Sequence, residues 1–214
     1  MSQRVWFPVD EDPSPRRLRK HALADEVRAL IADVLYLDVE SVDEDDLADA
    51  EARLGEARKA LAALPDIRGK GGVYGNRGDA SLFERSPLSG RCNALAAPLV
   101  LEFDGDRTLG HAVYGEAYEG PPGSVHGGYV ISAFDDLLGV AQAASGTAGF
   151  TGTLSVRLVA RTPLHERIDY EAAVSSRDGR KVVVTGRSSL RGQTLAEATG
   201  IFIAPKQGIE LPAG

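Results

Sequence analysis

Two aspartates, Asp135 and Asp136, stand side by side in GYVISAFDDLLGVAQAA, a stretch that carries no other charge. A carboxylate among apolar side chains is costly unless it is paired, hydrogen-bonded or used, so this pair is the first functional candidate. Just upstream lies His126-Gly127-Gly128. If a helix opens there, its first amide N–H groups lack intrahelical partners and favour negative charge, and glycine lets a ligand approach closely. Plainer readings stand beside these. His126 suits a turn residue bonded to backbone, and Asp135 by itself suits a structural hydrogen-bond partner as well as a catalyst. Asp136, about 100 degrees around a helix from Asp135 and one turn from Ser132, suits a supporting or subunit-contact role. Thr151 is a good strand former.

The elements that would position these residues can be read from periodicity. Pro121, Pro122 and Gly123 break the chain, and residues 129–144 then read as one helix, apolar on every side and about 24 Å long. Such a helix is predicted to run through the middle of a domain. Around it the period becomes two. Strands are expected at 98–103 and 109–118, with a bulge at Gly115, and at 151–160, 168–174, 181–190 and 195–203, the turns lying at Asp178-Gly179 and Gly192. This order predicts an α+β fold in which an antiparallel sheet curls around one buried helix.

The first 66 residues form a helical extension. Ser14 and Pro15 start a helix whose apolar face is Leu23, Val27, Leu30, Ile31, Val34 and Leu35; Ser41 or Asp43 starts a second, carrying Leu47, Leu54, Leu61 and Leu64. Together they read as an antiparallel hairpin that must dock on the main domain, a second copy or another protein. Before them, Trp6 and Phe7 are expected to pin an extended segment to a surface. Residues 67–92, with the glycine run RGKGGVYGNRGD, read as a linker, since no strand precedes a phosphate loop there and no G-K-[ST] follows. Residues 93–206 make the main domain and 207–214 a tail.

Composition narrows the function classes. The chain has 214 residues, 43% hydrophobic, with a net charge of -7 and no clustered basic face, which argues against nucleic acid as a partner. It has no apolar run of membrane-spanning length and no signal-peptide pattern at its start, so a cytoplasmic protein is expected. The single cysteine, Cys92, has no Cys or His cluster beside it in sequence, so it reads as an incidental thiol and no metal site is expected.

VHGGYVISAFDDLLG followed by TGTLSVRLVARTPL resembles the hotdog superfamily, and within it the PaaI-type acyl-CoA thioesterases. The shared pattern is HGG at 126–128, an Asp nine residues after the His, a Gly four further on, and a Thr sixteen after the Asp: Asp135, Gly139 and Thr151. The resemblance covers roughly residues 93–206, and Leu158 and Ala160-Arg161 stand where the family carries an aromatic and an Arg-Pro step. It implies a hydrolase for acyl-CoA with no cofactor beyond the CoA of its substrate. It selects Asp135 over Asp136 to activate water or attack, and implies a site at the interface of a homodimer, with a tetramer as a larger assembly. For a thioester substrate the Gly128 N–H at the helix start is the main assignment for polarising the carbonyl, with His126 shaping the turn and contacting substrate, and the resemblance implies that Thr151 comes from the facing subunit to orient water. Gly127 lies against the substrate. Arg180, Lys181 and Arg161, ahead of Arg157 and Arg187, are candidates for the CoA phosphates. A non-catalytic acyl-CoA or acyl-carrier-protein binding module of the same fold is the alternative. A dehydratase would need a His or Glu partner that the sequence does not offer.

Overall fold

The computed structural model describes residues 13–68, 82–97, 99–104, 106–146 and 149–206. Trp6 and Phe7, the glycine run and the 207–214 tail lie outside them. Four α-helices occur among these residues: α1 (Pro15–Leu35), α2 (Glu44–Ala62), α3 (Leu82–Arg85) and α4 (Gly127–Ala144). Six strands, β1 (Val100–Asp104), β2 (Arg107–Val113), β3 (Phe150–Leu158), β4 (Arg167–Asp178), β5 (Lys181–Leu190) and β6 (Gln193–Ile203), form one antiparallel sheet in the order β1-β2-β4-β5-β6-β3.

Turn chemistry sets much of this order. Arg191 and Gly192 both adopt positive φ, 50° and 85°, in the two-residue loop that pairs Leu190 with Gln193. That matches the mirror-image turn whose twist suits a hairpin. Gly179, at φ 53°, serves the loop between Asp178 and Lys181. Register shifts fall between Thr151 and Thr153, Val174 and Ser176, and Ser188 and Ser189. The bulge expected at Gly115 does not occur. Gly115 instead has extended backbone ahead of a 3-10 turn at Glu116–Tyr118, so β2 stops at Val113.

The sheet curves over α4. Phe134, Leu137 and Leu138 are fully buried against Ile168, Tyr170, Val182, Val184, Ala196 and Phe202, and Phe134 meets Tyr170 edge to face at 5.6 Å. Leu138 settles over bare backbone: a Cβ at Gly186 would meet Leu138 Cδ2 at 3.0 Å, and one at Gly200 would meet Leu138 Cδ1 at 3.2 Å. Burying each such large side chain contributes about 1.5–3 kcal/mol. The helix is not enclosed all round, however. Ile131 is 42% exposed, and the face carrying Ser132 and Asp135 is left open by the single chain.

The N-terminal extension departs from the amphipathic reading. Ser14 Oγ caps α1 by accepting from the Arg17 N–H, as the Ser-Pro start predicts. Yet the face of α1 turned inward carries Arg17, His21 and Ala24, while Leu23, Val27, Leu30 and Val34 point outward. Polar contacts dock it: His21 to Glu84 at 2.7 Å, Arg28 to the Asn93 carbonyl at 3.2 Å, and Tyr36 to Glu119 at 2.6 Å. No side chain of α2 is buried, so the two helices do not close into the expected hairpin.

The expectation of a linker through residue 92 also fails over residues 82–92. This segment folds into α3 and tight turns packed between α1 and α4. A Cβ at Gly90 would lie 2.5–2.8 Å from backbone atoms of Ser86 and Glu84, so only glycine fits the crossing that returns Cys92 to Glu84.

Candidate active site

His126 has extended backbone and caps α4, and the Gly128 N–H donates to its Nδ1 at 3.1 Å. The donor that sequence places on the substrate carbonyl is therefore engaged. The Gly127 N–H, one residue earlier, has no hydrogen-bond partner among the described residues. Nothing in the sequence distinguishes the two glycines, because the imidazole's reach back to the second amide is a matter of rotamer.

α4 runs antiparallel to β3. Its first turn lies beside the end of β3, where a Cβ on Gly127 would meet Leu158 Cδ1 at 3.3 Å, and its middle lies beside the start, where Thr151 Oγ1 donates to Asp135 Oδ1 at 3.1 Å. Asp135 is thus met by Thr151 of its own chain, where the resemblance implies a threonine of the facing subunit. A sixteen-residue spacing that passes out of the helix and back along a strand suffices to bring them together. Asp135 is partly exposed, and its other oxygen has no side-chain partner among the described residues.

The glycines and Asp135 are not neighbours within one chain. Eight residues of helix between Gly127 and Asp135 correspond to about 12 Å along its axis. Two clefts on the chain, one lined by Leu109, His111 and Tyr170 and one by Tyr36, Glu119 and His165, do not include Asp135.

Asp136 is positioned quite differently. Ser86 Oγ donates to its Oδ2 at 3.3 Å and the Ser89 hydroxyl donates to the same oxygen, while the N–H groups of Leu88 and Ser89 donate to Ser86 Oγ. Burial raises its pKa above the ordinary 3.8, against the lowering effect of the two serines and with a smaller push from the Asp135 charge. Ser86 and Ser89 are site neighbours that sequence reasoning missed, since they lie in the stretch without periodicity. A carboxyl group that holds its proton more tightly when folded favours folding at low pH, and that contribution fades as pH rises from about 3.8 through the raised folded value. Asp136→Asn is thus expected to remove this slope and, by urea unfolding at neutral pH, to be at least as stable as the wild type. Asp136→Ala, which strands two serine hydroxyls, is expected to lose about 1–3 kcal/mol.

The basic candidates divide between the two ends of the sheet. Lys181 pairs with Ile203, which pairs in turn with Phe150, so the Arg180-Lys181 turn lies at the Thr151 end. Arg180 Nη1 donates to the Ala204 carbonyl at 2.9 Å. Arg161 follows β3 at the opposite end, near the glycines, where the Val125 N–H donates to the Thr162 carbonyl. Arg157 and Arg187 face Glu197 and Glu171 and are already paired.

Comparison with solved structures decides the fold. A crystal structure of a thioesterase superfamily protein matches at a TM-score of 0.71 and 29% identity, covering 90% of this chain and 97% of that one. The chain has the hotdog fold. A match this wide takes in the helical extension as well as the hotdog domain, and the resemblance to thioesterase-superfamily proteins read from the HGG, Asp and Thr spacing holds in the structure. Smaller matches are a phenylacetic acid degradation-related protein from Ralstonia eutropha JMP134, at 20% identity, a TM-score of 0.47 and coverage of 50% of this chain and 86% of that one, and a hypothetical thioesterase protein with coenzyme A from Streptococcus pneumoniae TIGR4, at 18%, 0.46, 49% and 87%. No family model and no curated protein matches the chain. Among the described residues, no helix is long and apolar enough to cross a membrane.

Proposed function

We propose that the protein hydrolyses acyl-CoA thioesters to a free carboxylic acid and CoA, at a site built from two copies of the chain. The observation that carries this reading is the Thr151–Asp135 pair at 3.1 Å on the open face of α4, in a fold 29% identical over nearly its whole length to a thioesterase superfamily protein. Hydrolysis needs a base or nucleophile at the carbonyl carbon and a donor at the carbonyl oxygen, both within hydrogen-bond reach of one thioester. With about 12 Å between Gly127 and Asp135, one chain cannot supply both.

A two-fold arrangement supplies them. Among the described residues β3 is an edge strand whose outer side is unpaired, and its residues are largely exposed. Antiparallel pairing of β3 with β3 of a second copy covers that edge and brings the Leu158 end of one beside the Thr151 end of the other. The second copy's Gly127 then lies next to Asp135. We assign the polarising role to the Gly127 N–H, one residue before the donor expected from sequence, because His126 occupies the Gly128 N–H.

In the reaction, Asp135 takes the proton of a water held against Thr151 as that water attacks the carbonyl carbon. The oxygen gains negative charge at the helix N-terminus of the second copy, where the free amide and the helix dipole stabilise it. Collapse of the intermediate expels CoA, which leaves with the proton. Direct attack by Asp135, with hydrolysis of the resulting anhydride, is the other course open to the same carboxylate. Neither course calls on a metal or a redox group. Arg180 and Lys181, with Arg161 of the second copy, are the cations assigned to the CoA phosphates. The test is release of free thiol from short, medium, long and aromatic acyl-CoAs. Release supports the reading, and binding without release from any of them replaces it with a non-catalytic acyl-CoA binding module.

A further inference from the structure

Cys92 is not isolated once the chain folds. His21 on α1, Glu84 on α3 and Cys92 on the following turn converge, from positions 63 and 8 residues apart. His21 Nε2 lies 2.7 Å and Cys92 Sγ 3.0 Å from the same oxygen, Glu84 Oε2, and the three ligand atoms all fall within 4.8 Å of one another. The His21 and Glu84 side chains are each only 11% exposed. The charge of Arg17 also lies near the Glu84 carboxylate.

This is a donor set of one thiol, one imidazole and one carboxylate, converging from three segments on a single point. The two protons aimed at Glu84 Oε2 occupy the place a cation would take. Tetrahedral zinc, with bonds of about 2.0–2.3 Å, separates its ligand atoms by roughly 3.3–3.8 Å, so the two short contacts here would open, while the third separation already lies within 4.8 Å. Thiolate with imidazole and carboxylate selects zinc over magnesium or calcium, which prefer oxygen alone.

We infer that His21, Glu84 and Cys92 form a zinc site that clasps α1 to the 84–92 turn, with a fourth position open to water. On binding, the Cys92 thiol gives up its proton to solvent and its sulfur bonds the metal. His21 Nε2 likewise releases to solvent the proton it aims at Glu84 and bonds the metal, leaving the ring with its proton on Nδ1, and Glu84 exchanges two hydrogen-bond donors for one metal bond. Arg17 remains beside the carboxylate. The same turn holds Ser86 and Ser89 on Asp136, so the site braces the element behind Asp135 without touching the reacting atoms.

The test uses full-length protein stripped with a chelator and titrated with Co(II) alone. One equivalent is expected to produce thiolate-to-cobalt charge-transfer absorption, which Zn(II) displaces. Cys92→Ser is expected to abolish the band, and His21→Gln, which retains a hydrogen-bond donor toward Glu84, to weaken binding at least about 10-fold. Folded wild-type protein that gives no such band, or a band that persists in Cys92→Ser, would overturn the assignment. The wild-type spectrum decides even if a variant fails to fold.

Discussion

Asp135→Asn is expected to lower the turnover of acyl-CoA by roughly 100- to 10,000-fold, the range that a positioned proton acceptor contributes. The substitution removes the charge and leaves the shape. Asparagine still presents an oxygen to the Thr151 hydroxyl, whose bond to Asp135 Oδ1 measures 3.1 Å, and the side chain lies on the open face of α4. Stability by urea unfolding is therefore expected to change by less than about 0.5 kcal/mol. The loss should fall on kcat with KM little altered, because the carboxylate acts on the transition state and not on the CoA moiety. A variant that keeps the wild-type kcat removes Asp135 from the mechanism. Asp136→Asn is the matched control, since its partners are Ser86 and Ser89 and it is expected to leave turnover near the wild-type value.

The second large effect is expected at the other end of the helix. Gly127 is the first residue of α4, the position where proline is best tolerated because its missing N–H would have had no intrahelical partner. His126 already has the extended backbone, φ -61° and ψ 133°, that a following proline requires. Gly127→Pro thus deletes the proposed oxyanion donor while preserving the helix start. It is expected to cost roughly 100- to 1,000-fold in kcat. Gly127→Ala keeps the N–H, and its Cβ meets only the flexible end of Leu158 at 3.3 Å, so it should retain most activity. Equal losses in both would mean that space, and not the N–H, is what the site needs there.

How much of this was legible in sequence depends on whether the information is periodic. Alternation placed β5 at Lys181–Leu190 as expected, and the apolar run placed α4 with its start two residues earlier, at Gly127. β4 runs to Asp178, past the expected Val174, because the register shift between Val174 and Ser176 breaks the alternation without ending the strand. Apolar stripes misled at α1, where a leucine face normally turns inward. Here a few specific polar bonds, His21 to Glu84 and Tyr36 to Glu119, determine the docking, and the leucines are left outside. Contacts between residues distant in sequence carry no such signature. The Asp135 and Thr151 spacing could be matched to a family pattern, whereas Ser86 and Ser89 under Asp136, 50 and 47 residues away, and the His126 cap on Gly128 depend on how the folded chain closes on itself.

The shared site is tested most directly by mixing two inactive proteins. Asp135→Asn lacks the carboxylate and Gly127→Pro lacks the amide; in a dimer containing one of each, one of the two sites combines an intact Asp135 with an intact Gly127. After unfolding and refolding an equal mixture, random pairing makes half the dimers mixed, and thiol release is expected to recover to roughly a quarter of the wild-type rate. If the mixture stays as inactive as its components while mixed dimers are demonstrably present, the glycine and the aspartate act within a single chain, and a catalytic site divided between two copies is wrong.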